Sequence, residues 1–196
     1  MLRQWITLLS FLLWLQWPSF IYAIPTEAVL PAINQIEEKI FTLALFSRPE
    51  YVPYGTDDLN TFHWAIHASK KGSRGEVVDS FDASDWRYIR QGNKQSVISN
   101  HPPSKGHPSP FMYQYKYAVE PANVQTFMAR INIGSATTST IEVTELFRGL
   151  KLPGPGESCL NWAQSAMLEM QLKGMAKQFD VGTFSQKALE YALGRV

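Results

Sequence analysis

The chain has 196 residues, of which 45% are hydrophobic and 18% are charged, and its formal net charge is +1. This length suits one domain with a proper hydrophobic core and is too short for two ordinary domains, and the composition argues against a disordered tail or a coiled coil. The near-zero charge and the lack of a run rich in lysine and arginine argue against a nucleic-acid partner.

The N-terminal segment has the features of a signal peptide. Arg3 precedes a largely apolar run from Trp5 to Trp17, a proline interrupts the chain after it, and Ala23 offers a small residue for cleavage. This order predicts a signal peptide over residues 1–23 and a single mature domain over residues 24–196 of a secreted protein. The alternative is an uncleaved anchor in an endomembrane, because the apolar run with its flanks approaches the length that spans a bilayer.

The first half of the mature chain combines one helical pattern with several strand patterns. Apolar spacing over 27–39 predicts a helix, and the apolar stretch 39–47 predicts a buried strand. The stretch 61–69 alternates between apolar residues and histidines, as a strand with two different faces does. A turn rich in lysine, glycine and serine follows, and 76–81 predicts the returning strand of a hairpin.

The second half contains further strands and then helices. Short strands are expected at 86–90, 111–119 and 124–133, the last ended by Gly134, and the proline-rich stretch 101–110 indicates an exposed loop. Helices are expected at 141–150, 157–175 and 185–193. Strands followed by helices predict an α+β domain, with an antiparallel sheet packed against a C-terminal helix that carries the cysteine.

Cys159 is the only cysteine, and no intramolecular disulfide is therefore possible. It follows Ser158, a natural N-cap, so its sulfur is expected in the first turn of a helix. Unpaired backbone N–H groups and the positive end of the helix dipole stabilise a thiolate there. The alternative is a buried structural cysteine, because Cys159 heads an apolar stripe that includes Trp162.

His63 is a candidate base for such a thiolate. If the hairpin turn is centred near Lys71, His63 lies opposite Asp79 on one face, and a carboxylate beside an imidazole fixes its tautomer. His67 then falls opposite Gly75. The alternative is a solvated strand face that carries two polar histidines. We expect no metal site, since no local carboxylate or thiol completes a set with both histidines, and no other cofactor.

The order of these motifs resembles a group of small, mostly uncharacterised fungal proteins. These proteins have a His-Trp-aliphatic strand, here Phe62-His63-Trp64-Ala65-Ile66, and a late Cys-X-X-Trp helix, here Cys159-Leu160-Asn161-Trp162. The layout is similar to the circularly permuted papain fold of the lecithin retinol acyltransferase class, in which the histidine strand precedes the cysteine helix. The resemblance extends from Phe41 to Met175, and Ser158 stands where that class usually has asparagine.

The resemblance implies that Cys159 is a nucleophile, His63 its base and Asp79 the third polar residue. The combined interpretation is a secreted thiol hydrolase or acyltransferase that acts on an acyl or peptide-type carbonyl. One alternative is a non-catalytic secreted interaction protein, resembling an effector, on the same scaffold. Another is a membrane-anchored lumenal accessory protein. The sequence indicates no particular substrate, and membrane contact is expected only if the N-terminal segment is retained.

Overall fold

The computed structural model describes residues 34–48, 59, 62–91, 94–99 and 111–195. The predicted signal peptide, most of the predicted helix 27–39 and the proline-rich loop 101–110 lie outside these residues. The strands of the described part are β1 (Glu37–Phe46), β2 (His63–Lys70), β3 (Val78–Ser84), β4 (Trp86–Gln91), β5 (Lys94–Ser99), β6 (Met112–Val119) and β7 (Phe127–Thr138). The helices are α1 (Thr140–Arg148), α2 (Cys159–Leu172) and α3 (Val181–Ala192).

One five-stranded antiparallel sheet organises the domain. Its strand order is β6-β3-β2-β1-β7, so β2 has a paired neighbour on each side, while β4 and β5 pair with each other in a separate hairpin. The three helices follow the last strand of the sheet along the chain. The predicted α+β class, with an antiparallel sheet and a C-terminal helix, is confirmed.

The two faces of the sheet differ in chemistry because side chains alternate along each strand. Trp64, Ile66 and Phe81 point to what we call the helix face, where they form one core with residues of α2. His63 and His67 point to the opposite face, which we call the histidine face. Both histidines are nevertheless buried, so the predicted alternation of 61–69 is correct but a solvated histidine face is wrong.

Helix α2 packs its apolar stripe on the helix face. Trp162 is buried and its ring centroid lies 5.7 Å from that of Phe147 in α1 and 6.2 Å from that of Tyr113 in β6. Ala166 and Met170, further along the stripe, are completely buried. The helix thereby fixes the position of its own first residue, Cys159, relative to the sheet.

Two sequence-based boundaries are wrong for tertiary reasons. Residues 37–39, predicted as the end of a helix, belong to β1, where Glu37 pairs with Thr138 on the neighbouring strand. Gly134, predicted to end a strand, lies inside β7. A Cβ atom at Gly134 would lie 2.5 Å from the Met175 carbonyl oxygen, so the glycine permits a close backbone approach rather than a turn. In the described part of the chain, no helix combines the length and apolar character needed to cross a membrane.

Candidate active site

The first turn of α2 is fixed by a reciprocal capping arrangement. The Ser158 hydroxyl accepts a hydrogen bond from the Leu160 N–H at 3.3 Å, and the Ser158 N–H donates to Oδ1 of Asn161 at 2.8 Å. These bonds satisfy backbone N–H groups that a helix start otherwise leaves free. The Ser158 cap was predicted from the sequence. Cys159 is consequently the first residue of the helix.

The Cys159 thiol lies beside the start of β2. The side chain is completely buried, and its Sγ donates to the Phe62 carbonyl oxygen at 3.4 Å. Phe62 directly precedes His63, the first residue of the strand, and the Cys159 thiol is close enough to the His63 imidazole to raise the pKa of that ring. The thiol belongs to the helix-face core. It lies near His63, a residue of the opposite face, because both are located where β2 begins.

His63 lies between the thiol and a carboxylate. Its Nε2 is 3.7 Å from Oδ2 of Asp82 on the adjacent strand β3. Burial is the largest influence and lowers the pKa of His63, but its contacts with Asp82 and Cys159, together with the charges of both groups, raise that pKa from 6.5 to about 9. The surroundings therefore favour an imidazolium, the form that pairs with a thiolate.

Asp82 is a buried carboxylate with two partners on one oxygen. It is 1% exposed, and its Oδ2 accepts a hydrogen bond from Lys116 Nζ of β6 at 2.7 Å while also facing His63. Burial acts most strongly and raises its pKa, but the Lys116 charge and the His63 contact outweigh burial and leave the pKa of Asp82 well below its usual value. The carboxylate is accordingly ionised at neutral pH.

The predicted placement of Asp79 opposite His63 is wrong. The structure pairs Asp79 with Ala68, which puts the carboxylate on the helix face, away from the imidazole. There Asp79 Oδ2 accepts a hydrogen bond from the Thr140 hydroxyl at 2.9 Å, at the start of α1. Burial, its largest influence, raises the pKa of Asp79 despite this bond. The structure thus brings Cys159 and His63 together and places Asp79 elsewhere.

The register error follows from the turn between β2 and β3. Observed partners such as Ala65 and Asp82 are symmetric about the Ser73–Arg74 bond, not about Lys71. Gly72 and Gly75 have φ angles of 84° and 68°, a region that favours glycine and that keeps the chain out of strand geometry until Val78.

A signal for Asp82 was nevertheless present in the sequence. Residues 80, 82 and 84 are polar and alternate with apolar Phe81 and Ala83, as expected for a strand with one polar face. Ending the predicted strand at Phe81 left this pattern unused, and Asp82 was missed for that reason.

His67 shares the histidine face but has a different environment. It pairs with Ser80 rather than with Gly75, and it is 1% exposed. Within the described part of the chain, neither ring nitrogen has a hydrogen-bond partner, and the ring makes an edge contact with Phe46 at 5.8 Å between centroids. Burial dominates and lowers the pKa of His67 to about 3, so the ring is neutral.

The arrangement of Cys159, His63 and Asp82 has the parts that nucleophilic catalysis by a thiol requires: a sulfur at a helix start, an adjacent imidazole and a carboxylate that orients it.

Within the described ranges, no three His, Cys, Asp or Glu side chains are grouped so that they could hold a metal ion. Compared with known proteins, the chain matches no protein-family model, no curated protein and no solved structure.

Proposed function

We propose that the chain is a thiol hydrolase or acyltransferase that acts through Cys159 and His63 on an acyl or peptide-type carbonyl. One observation carries the proposal: the cysteine at the start of α2 lies against the first residue of β2, whose imidazole faces a buried carboxylate. Asp82 takes the orienting role that the sequence suggested for Asp79. The order of a histidine strand before a cysteine helix supports a permuted papain-like scaffold.

The proposed chemistry uses the imidazolium form that the site favours on His63, paired with the Cys159 thiolate. The Cys159 thiolate attacks the carbonyl carbon, and the bond to the leaving group breaks as the His63 imidazolium gives that group its proton. A thioester on Cys159 and a neutral imidazole remain. His63 then takes a proton from water or from an acceptor alcohol or amine, which attacks the thioester and releases Cys159. Hydrolysis and acyl transfer differ only in this second nucleophile.

The complete burial of Cys159 supports a second candidate, a non-catalytic interaction protein on the same scaffold. In that case the thiol is part of the helix-face core, with the Phe62 carbonyl as its hydrogen-bond acceptor. Buried structural cysteines are inert until the protein unfolds. Catalysis instead requires that the native protein admits a small electrophile to the sulfur.

Alkylation of the folded protein separates the two candidates. Iodoacetamide should modify native Cys159 at neutral pH, His63→Asn should slow the reaction by about tenfold or more, and Cys159→Ser should abolish labelling. p-Nitrophenyl acetate should leave an acetyl group on Cys159, detected by mass spectrometry of the intact protein. A thiol that reacts only after denaturant is added would exclude catalysis and support the interaction protein.

We also propose that the protein is secreted, because of the signal-peptide pattern before Ala23. Expressed in a eukaryotic cell, the mature protein should begin near Ile24, as read by N-terminal sequencing. Recovery of intact Met1 on a soluble cytosolic product would contradict secretion. Intact Met1 in a membrane fraction would instead support the anchored lumenal protein.

A further inference from the structure

We infer that Lys116 is a positioning residue of the proposed catalytic site. It stabilises the ionised form of the Asp82 carboxylate and weakens the interaction of that carboxylate with the His63 imidazolium. The inference rests on the proposed function. It concerns a residue on β6, a strand at the edge of the sheet.

The geometry shows two basic side chains directed at one oxygen. Lys116 Nζ lies 2.7 Å from Asp82 Oδ2, whereas His63 Nε2 lies 3.7 Å from the same atom. The second oxygen, Oδ1, is buried and has no hydrogen-bond partner among the residues that the structure describes. The carboxylate therefore has unused capacity to accept hydrogen bonds. The lysine and the histidine compete for the oxygen that they share.

Burial differs between the two partners of this ion pair. The Asp82 side chain is 1% exposed and the Lys116 side chain is 33% exposed, so the lysine lies partly in solvent while its charge contacts a buried carboxylate. An ionised carboxylate without a nearby cation is strongly disfavoured at such a buried position. Lys116 consequently supplies part of the positive charge that stabilises the buried Asp82 carboxylate, and His63 does not have to supply all of it.

Other charged and titratable groups surround this pair. His67 from β2 faces Asp82, Cys159 from α2 contacts His63, and the charge of Arg130 from β7 acts on His67. Of these groups, Lys116 forms the short hydrogen bond to the carboxylate. Its charge therefore has the most direct effect on how strongly Asp82 retains the imidazolium proton.

The consequence for the reaction concerns the step in which His63 acts as an acid. An imidazolium held too strongly by a carboxylate gives up its proton to the leaving group slowly. By sharing Oδ2, Lys116 keeps the imidazolium able to release that proton while Asp82 still orients the ring. Removal of the lysine charge should therefore make the His63 imidazolium release its proton less readily. Removal of a lysine with only a structural role would not have this effect.

The test is an NMR titration of the His63 ring in the full chain, with the signal assigned by its loss in His63→Asn. Lys116→Gln removes the charge and keeps a hydrogen-bond donor, and Lys116→Met removes both. Lys116→Arg keeps the charge, and Lys187→Gln removes an exposed charge on α3 as a matched control. Both neutral variants should raise the pKa of His63 by about half a unit or more, whereas the arginine and control variants should not.

The same proteins should be alkylated across a range of pH. In the neutral variants the alkaline limb of the Cys159 alkylation profile should move to higher pH together with the His63 titration. A reactive wild-type thiol with an unchanged His63 titration in both neutral variants would overturn the role of Lys116 and leave the proposed function intact. An inert native thiol would instead overturn the proposed function. If Lys116→Arg folds and neither neutral variant does, the lysine charge is structural and the inference is also overturned.

Discussion

Oδ2 of Asp82 lies 3.7 Å from Nε2 of His63, although the two residues are not directly paired across β2 and β3. Ala65 is the direct partner of Asp82, and its small side chain leaves room for the carboxylate to lean along the histidine face toward the start of β2. The diagonal relationship explains how a carboxylate reaches the imidazole without occupying the position opposite to it.

Replacement of Asp82 should affect the site, and replacement of Asp79 should not. Asp82→Asn removes the negative charge beside His63, so the pKa of His63 should fall from about 9 by about one unit or more. Alkylation of Cys159 at neutral pH should slow in parallel. Asp79→Asn is the matched control, because its carboxylate lies on the helix face beside Thr140. Equal effects of the two variants on the His63 titration would contradict the assignment of Asp82.

The stability of the protein should depend on pH through His67. Its pKa in the folded protein, about 3, lies below the usual 6.5, so the neutral ring contributes stability above pH 6.5 that is lost as the pH falls toward 3. From pH 6.5 to about pH 5 the loss should be about 1.5 kcal/mol, since the unfolded chain takes up a proton that the folded chain excludes.

His67→Leu should remove that part of the pH dependence, as measured by urea unfolding at several pH values between about 5 and 6.5, above the range in which most carboxylates titrate. His63→Asn is the control, because the pKa of His63 is shifted upward, so its stabilising contribution is fully present below pH 6.5 and the pH dependence that it adds lies above pH 6.5. Parallel stability curves for the wild type and His67→Leu over this range would show that the ring is not held neutral.

Trp162 should be a major contributor to the stability of the domain. The residue is 1% exposed and packs between aromatic rings of α1 and β6, so Trp162→Ala should lower the free energy of unfolding by about 3–5 kcal/mol. Leu172→Ala on the same helix should change it by about 0.5 kcal/mol or less, because Leu172 is 80% exposed. Urea unfolding of both variants measures the difference. A loss below about 1 kcal/mol for Trp162→Ala would contradict the packing of α2.

Gly134 should tolerate no side chain. A Cβ atom there would lie 2.5 Å from both Ala176 Cα and the Met175 carbonyl oxygen, which are backbone atoms that cannot rotate away. Gly134→Ala should therefore lower the free energy of unfolding by about 1–3 kcal/mol. Gly149→Ala is the control, because its nearest contact would be at 3.5 Å and its φ is negative, and it should not be destabilising. Thermal unfolding that ranks the two variants in the opposite order would rule out the close approach.

Local sequence signals predicted the secondary structure and the faces of the elements well. Ser158 marks the start of α2 because its hydroxyl can cap only a helix that begins at the next residue. The alternation around Trp64 separates the two faces of β2 because only a strand has a period of two. These features depend on neighbouring residues and are readable from a short window of sequence.

The partner of His63 could not be read in this way. Register depends on how the turn between β2 and β3 closes, and two glycines with positive φ shift its centre from Lys71 to the Ser73–Arg74 bond. That shift moves Asp79 to the helix face and brings Asp82 to the histidine face. Likewise, β7 continues past Gly134 because of a contact with residues 175–177, which no local pattern encodes.

The hydrogen bond between Cys159 and the Phe62 carbonyl joins positions that are 97 residues apart in the chain. A contact of this sequence separation has a large loop-closure entropy cost, and it forms only after the intervening strands and α1 have been brought together. We therefore expect the protein's single thiol to become buried against β2 at a late stage of folding. Pulse alkylation during refolding would follow that stage directly, with the natural cysteine as the reporter and no introduced label.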